Sequence, residues 1–269
     1  MVTTAPRTKK PAPKRRVPMR DRRAPKIVVA ALAAVSVVAG SGAMVGALLS
    51  GGGSSPTATS AANGRPITSD EANRLAVMRF RNYQGTGVHF QTSVPSAGGP
   101  LTVDGIVDYR RALGLAQVSG LGSSFTFQWD HQKLAAWPGT ATQTTVPTAL
   151  PAGQAAIRPL NTTATAVDAV LALMLAMGTD RPDNAQLLQQ NGSRWLGNDT
   201  IGGVVYDVMS GPAQTGAPAG TTSDTLQYWI SPDGHLGRVD AHLGGSPTAT
   251  TITVDAGGFH ALPEKSALN

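Results

Sequence analysis

The sequence contains no cysteine. Disulfides, thiolate metal sites and a cysteine nucleophile are therefore excluded, and so is the lipidated cysteine that tethers a bacterial lipoprotein. Lysine is almost as scarce beyond Lys26, where only Lys133 and Lys265 occur. A phosphate-binding loop, which needs a lysine behind a glycine-rich turn, has no candidate. No G-x-S-x-G is present, so a nucleophile elbow has no support. His89, His131, His235, His242 and His260 are scattered, and none stands at a compact metal-ligand spacing with another histidine and a carboxylate. No metal and no cofactor is expected, and no catalytic residue set is found. An enzyme is not the expectation.

What charge there is lies at one end. Residues 1–26 hold ten basic side chains and one acid, Asp21, for a balance of +9; the remainder holds 12 basic and 15 acidic residues, or −3. The pI of about 10.0 thus belongs to a tail and not to a basic folded surface, which speaks against nucleic acid as a partner. Behind this tail, Ile27 to Leu49 run for 23 residues without a charge. As a helix they would span roughly 35 Å, against a hydrocarbon core of about 30 Å. A signal-peptide apolar region is shorter, about 7–15 residues. The expectation is a retained transmembrane helix with a cytoplasmic N-terminus, since basic flanks stay inside. The competing reading is cleavage of a signal at Ser41-x-Ala43. Gly42 and Gly46, with Ala39, Ala43 and Ala47 beside them, carry a small-residue spacing that lets two membrane helices approach and dimerise. An Ala/Gly-rich helix also makes that spacing by chance.

Five segments follow: a cytoplasmic tail (1–26), the transmembrane helix (27–49), a flexible linker (50–66), an extracytoplasmic domain (67–262) and a short tail (263–269). The linker is uncharged from Gly51 to Gly64 and has no large apolar side chain, which is the composition of a flexible spacer. Thr68-Ser-Asp-Glu71 is a capping box that starts a helix, whose apolar face includes Leu75 and Met78. The period then changes to two. "VHFQTSV", "LTVDGIVDY", Leu115–Ser119, "SFTFQWD" and Lys133–Trp137 read as antiparallel strands joined by short turns. Residues 138–159 lack a period and read as a long loop. "NTTATAVDAVLALMLAMG" is a strongly apolar helix. "RPDNAQLLQQNG" is a second short helix capped by Asp183. Strands return at 194–196, 204–209, 225–230, 236–243 and 248–254, with Ser231-Pro-Asp-Gly234 as a turn. Asp104 and Asp108 share a strand face with Thr102 and Ile106, a face read mostly as solvent-exposed. The order of helix, strands, helices and strands describes an α+β fold, a curved antiparallel sheet with helices gathered on one side.

Two stretches carry a family likeness. "LTVDGIVDYRRALGLAQVSG" joins an alternating strand to a short basic turn, and "LQYWISPDGHLGRVDAHL" pairs an aromatic-rich strand with an arginine-bearing return strand. In layout, residues 67–260 resemble the LolA-like half-barrels, and especially the LppX/LprG branch of actinobacterial envelope proteins. The resemblance implies helices on the concave side of a half-barrel and an apolar ligand held between them. It also implies binding and not catalysis. The chain departs from the pattern in lacking the lipidated cysteine and carrying an expected membrane helix instead, a permanent tether that argues against a soluble shuttle and for a fixed acceptor, sensor or partner.

The expected ligand site is the apolar helix with the aromatic strand beneath it: Val167, Leu171, Met174, Met177, Phe127 and Trp129. The first three recur at helical spacing, and the methionines add adaptable side chains. The bland reading is an ordinary packed core helix. The expected function is a membrane-anchored extracytoplasmic protein that binds a lipid or other apolar molecule at the cell envelope. The alternative is a protein-interaction or envelope-signalling module of the same fold without a ligand. For the anchor, N-terminal sequencing of the membrane-extracted protein should recover the basic tail; a mature chain beginning near Met44 would end that reading.

Overall fold

Capping at Thr68 sets the entry to the sheet. Its hydroxyl accepts the Glu71 backbone N–H at 3.3 Å, and the Glu71 carboxylate accepts the Thr68 N–H at 2.8 Å. Both halves of the expected box are formed, and the helix α1 runs Ser69–Gln84. Arg65 donates to both Glu71 oxygens. That pairing, against the opposing effect of burial, holds the Glu71 carboxyl down at about 2. Arg65 and Pro66 form a short strand β1 on β8 (Arg194–Ile201), so order begins before Ile67. The computed structural model describes residues 1, 64–212, 226–243 and 248–268; all but Met1 fall in one unit, Val35–Asn269. The expected membrane helix 27–49, with Gly42 and Gly46, lies outside the described residues. No helix among the described residues is long and apolar enough to cross a membrane.

Twelve strands form one curved antiparallel sheet in the order β1-β8-β9-β10-β11-β12-β2-β3-β4-β5-β6-β7. Two meanders compose it. The first is β2 (Gly87–Val94), β3 (Leu101–Asp108), β4 (Leu113–Gly120), β5 (Ser123–Trp129), β6 (Lys133–Gly139) and β7 (Ala156–Pro159). The second is β8, β9 (Val204–Ser210), β10 (Leu226–Ile230), β11 (Leu236–Ala241) and β12 (Thr250–Asp255). They join where β12 pairs with β2, Val254 opposite Phe90 and Ile252 opposite Thr92. The strand β7 lies inside the segment expected to be a loop. Its backbone pairs with β6, Ala135 opposite Ile157, although Ala156–Pro159 offers no alternation that a period-two search would detect.

Alternation assigns the two faces. Phe90, Val107, Ala116, Phe127, Trp129 and Leu134 point to an inner face, which α1 and α2 (Ala166–Ala176) cover. Two strand glycines make the room. A Cβ at Gly105 would stand 2.5 Å from the Phe90 ring, and one at Gly114 would collide with the Trp129 ring. Phe90 and Trp129 then meet edge to face, with centroids 6.3 Å apart, a preferred aromatic geometry.

The opposite, outer face corrects the reading of Asp104 and Asp108 as solvent-exposed; both are buried. Residues 140–155 and the C-terminal segment cover this part of the sheet, and Ile106, Leu113, Leu115, Ala135 and Trp137 form a second core with Leu262 and Leu268. Asp104 accepts from the Gln91 amide at 2.6 Å, His89 at 3.3 Å and the Val146 N–H at 2.8 Å. Asp108 caps the turn to β4 through the Arg110 and Arg111 N–H groups. A strand covered on both sides keeps its polar residues only by satisfying them. Residues 263–268, expected as a tail, belong to this cover.

Gly114→Ala tests the glycine–aromatic fit. The added methyl should lower unfolding free energy by about 1–3 kcal/mol through overpacking, read by denaturant titration. Gly85→Ala, where a Cβ meets nothing nearer than 3.6 Å, should cost much less.

Candidate functional site

The helix α2 is fastened at both ends. At its start the Thr165 hydroxyl accepts the Asp168 N–H at 2.9 Å. The fully buried Asp168 carboxylate takes two N–H bonds from Arg158 at 2.6 and 2.7 Å, one from the Asn161 N–H at 2.9 Å and the Thr165 hydroxyl at 3.0 Å. A carboxylate away from water needs this saturation of its lone pairs. At the other end Arg79 of α1 donates from Nε to the Ala176 carbonyl at 2.9 Å, and the Asn82 amide donates to the Met177 carbonyl at 2.8 Å. These bonds satisfy carbonyls that the helix terminus leaves open.

The third helix, α3, runs Ala185–Gln190. Its cap is Asn184, whose side chain accepts the Leu187 N–H at 3.1 Å, and not the expected Asp183. Asp183 instead pairs with Arg79 at 3.1 Å and donates its N–H to the Ala76 carbonyl at 2.9 Å. An Asx side chain one residue later is better placed for the cap because α3 begins at Ala185. No residue of α3 is buried.

Between α1, the end of α2, α3 and β10 lies a cavity of about 500 Å³. Leu75 and Met78 come from α1, Leu173 and Met177 from the end of α2, Leu187 and Leu188 from α3, and Leu226 and Tyr228 from β10. Arg79 and Asp183 are the charged residues of the wall among those described, and they neutralise each other. Burial pushes the Tyr228 phenol up to about 12; Arg79 opposes the rise and Asp183 adds to it. The phenol therefore stays protonated at neutral pH. The wall is mostly aliphatic with few polar groups, which is the chemistry of an apolar binding site. Leu187 is half exposed at its edge. No group of three or more metal-binding side chains occurs among the described residues.

Of the residues expected to bind a ligand, Met177 lies on this wall. Val167, Leu171, Met174, Phe127 and Trp129 do not; all five are buried between α2 and the sheet. The Trp129 indole N–H donates to the Leu171 carbonyl at 2.9 Å, so strand and helix meet there without a gap. The bland reading of α2, as a packed core helix, describes this middle stretch. Sequence reasoning missed α3 as a cavity wall. Its signal was the pair Leu187-Leu188 in an otherwise polar six-residue helix, an apolar pair that the helix itself cannot bury.

No protein-family model matches the chain, and no curated protein matches it. Several solved structures are similar in layout, among them the following three. LprF from Mycobacterium bovis shares 17% identity at a TM-score of 0.40, over 75% of this chain and 99% of that one. The lipoprotein LppX from Mycobacterium tuberculosis shares 14% at 0.38, over 70% and 93%. A DUF1329 family protein from Desulfovibrio piger ATCC 29098 shares 9% at 0.30, over 73% and 95%. The likeness to the LppX/LprG layout is diffuse.

Asp168→Ala should destabilise the protein by about 3 kcal/mol, the lower end for breaking a buried pair, because Arg158 is one-third exposed and can reach water. Thermal or urea unfolding measures this.

Proposed function

We propose that this protein holds an apolar ligand in the cavity between α1, α3 and the end of α2, as an extracytoplasmic domain anchored by residues 27–49. The observation that carries the reading is the contrast inside one fold. Leu171, Met174, Phe127 and Trp129 are buried under the middle of α2 and stand off the cavity wall, while about 500 Å³ stays open beside Met177 and is walled by leucine and methionine. That volume lies in the range of small-molecule sites, about 300–1,000 Å³. Methionine lends the wall adaptable shape, which suits a flexible acyl chain better than a rigid ring. The charge-free span behind a +9 tail supports the anchor and an extracytoplasmic domain.

The alternative, a protein-interaction module, rests on Leu187 and the unburied α3 at the cavity edge, where a partner's apolar side chain could sit. Uptake of a fluorescent fatty acid separates the two. The wild-type protein should take it up saturably, and mass spectrometry of organic extracts should find an apolar molecule. Leu173→Trp, which fills the cavity from a half-buried position, should abolish uptake with little loss of stability. Leu171→Trp, in the packed stretch, should cost about 1–3 kcal/mol. A stable wild-type protein with neither uptake nor extractable ligand would remove the lipid reading and leave the interaction module.

A further inference from the structure

The cover over the outer face differs in kind from the rest of the fold. Residues 259–268 contain no strand or helix. No backbone–backbone hydrogen bond among the described residues ties them to the sheet. Side chains of the sheet and its turns hold them instead. Arg111 donates to three successive carbonyls, Leu262 at 3.2 Å, Pro263 at 2.8 Å and Glu264 at 3.1 Å. The fully buried Gln128 accepts the Ala267 N–H at 2.7 Å and donates to the Lys265 carbonyl at 3.5 Å. Lys133 donates to the Leu268 carbonyl at 3.2 Å.

These contacts read the segment's backbone and are indifferent to its sequence. The reading of sequence falls to two side chains. Leu262 and Leu268, both buried, enter the apolar floor of Ile106, Leu113, Leu115, Ala135 and Trp137, and Val146 and Leu150 of the covering loop pack against the same cluster. Backbone contacts for hold and spaced apolar pockets for choice are the division of labour found where proteins bind extended peptides. Each clamp is itself set by the fold. Arg111 sits in the turn that Asp108 caps. The Gln128 side chain stands on β5 and, among the described residues, hydrogen-bonds to this segment alone.

We propose that the outer face is a peptide-binding groove, occupied by the chain's own C-terminal segment. In its place it accepts an extended peptide of another protein with two apolar anchors at the spacing of Leu262 and Leu268. This site is separate from the apolar cavity, which lies on the inner face, and does not depend on what that cavity holds.

The test keeps the whole chain. A specific protease site is inserted between Gly257 and Gly258, the protein is folded, and the bond is then cut. A labelled synthetic peptide of residues 259–269 is added. The cut protein should stay folded, retain its own segment through gel filtration and exchange it for the labelled peptide. A peptide with Leu262→Asp and Leu268→Asp should compete at least roughly tenfold less well, given what a buried leucine contributes. Arg111→Gln in the protein should weaken the hold on the wild-type peptide while Leu173→Trp in the cavity leaves it unchanged. Three results would overturn the proposal: unfolding on cleavage, loss of the segment without uptake of the labelled peptide, or a segment retained but never exchanged.

Discussion

The pairing of β12 with β2 is the contact on which the remaining architecture rests. It brings residues near 90 against residues near 253, the widest separation in sequence of any strand pair in the sheet. Without it there are two separate meanders, with β2 and β12 left as open edges. With it, Val254 and Ile252 continue the inner face begun by Val88 and Phe90, and one apolar surface runs across the junction. Closing so long a loop costs entropy that grows only slowly with length. Burial of a continuous face offsets it. The helices depend on that surface, because α1 packs on both β2 and β10, strands of different meanders.

The inner face is packed unevenly, and the unevenness makes the candidate site. Under the middle of α2 the sheet offers Trp129 and Phe90, which sit over strand glycines and rise to meet the helix. Beyond Met177 the helix ends, and the short α3 that follows lies too far out to bury any of its residues. The space left between is the cavity. Its charged pair, Arg79 and Asp183, also fastens the neighbouring backbone through the Ala176 carbonyl and the Asp183 N–H. The charged groups of the wall are thus engaged in structure, and most of the remaining surface is aliphatic.

The outer face follows a different logic. Over β3 to β6 it is covered by chain without regular structure, and buried polar residues serve as its fasteners. Beyond the cover, Thr251 and Thr253 on β12 meet solvent on that same face. Polar side chains on one face therefore have two opposite fates within a few strands.

Much of the framework was legible in local sequence because it is locally caused. The capping box at Thr68 and Glu71, the Ser231–Gly234 turn and the alternation of β2 to β6 depend on neighbours in the chain. Each was identified from the residues that make it. Local pattern failed where the cause was distant. Asp104 and Asp108 looked like solvent residues because a carboxylate usually is one, but chain far along the sequence, Val146 on Asp104 and residues 259–268 over the neighbouring apolar cluster, covers that face. β7 has no period of its own and is a strand because β6 offers it an edge. Apolar periodicity marked α2 as a helix that buries a stripe, but packed core and cavity wall share that periodicity. The choice fell to the geometry of the surrounding elements. Two glycines let aromatics fill the space under Leu171, and α3 stands off from the space beside Met177. Sequence by itself determined the inner apolar face and the helix stripes that meet it, since alternation and helical spacing are properties of each segment. Where an apolar face is filled and where it stays open is a property of the distances between segments, and only the tertiary structure sets those.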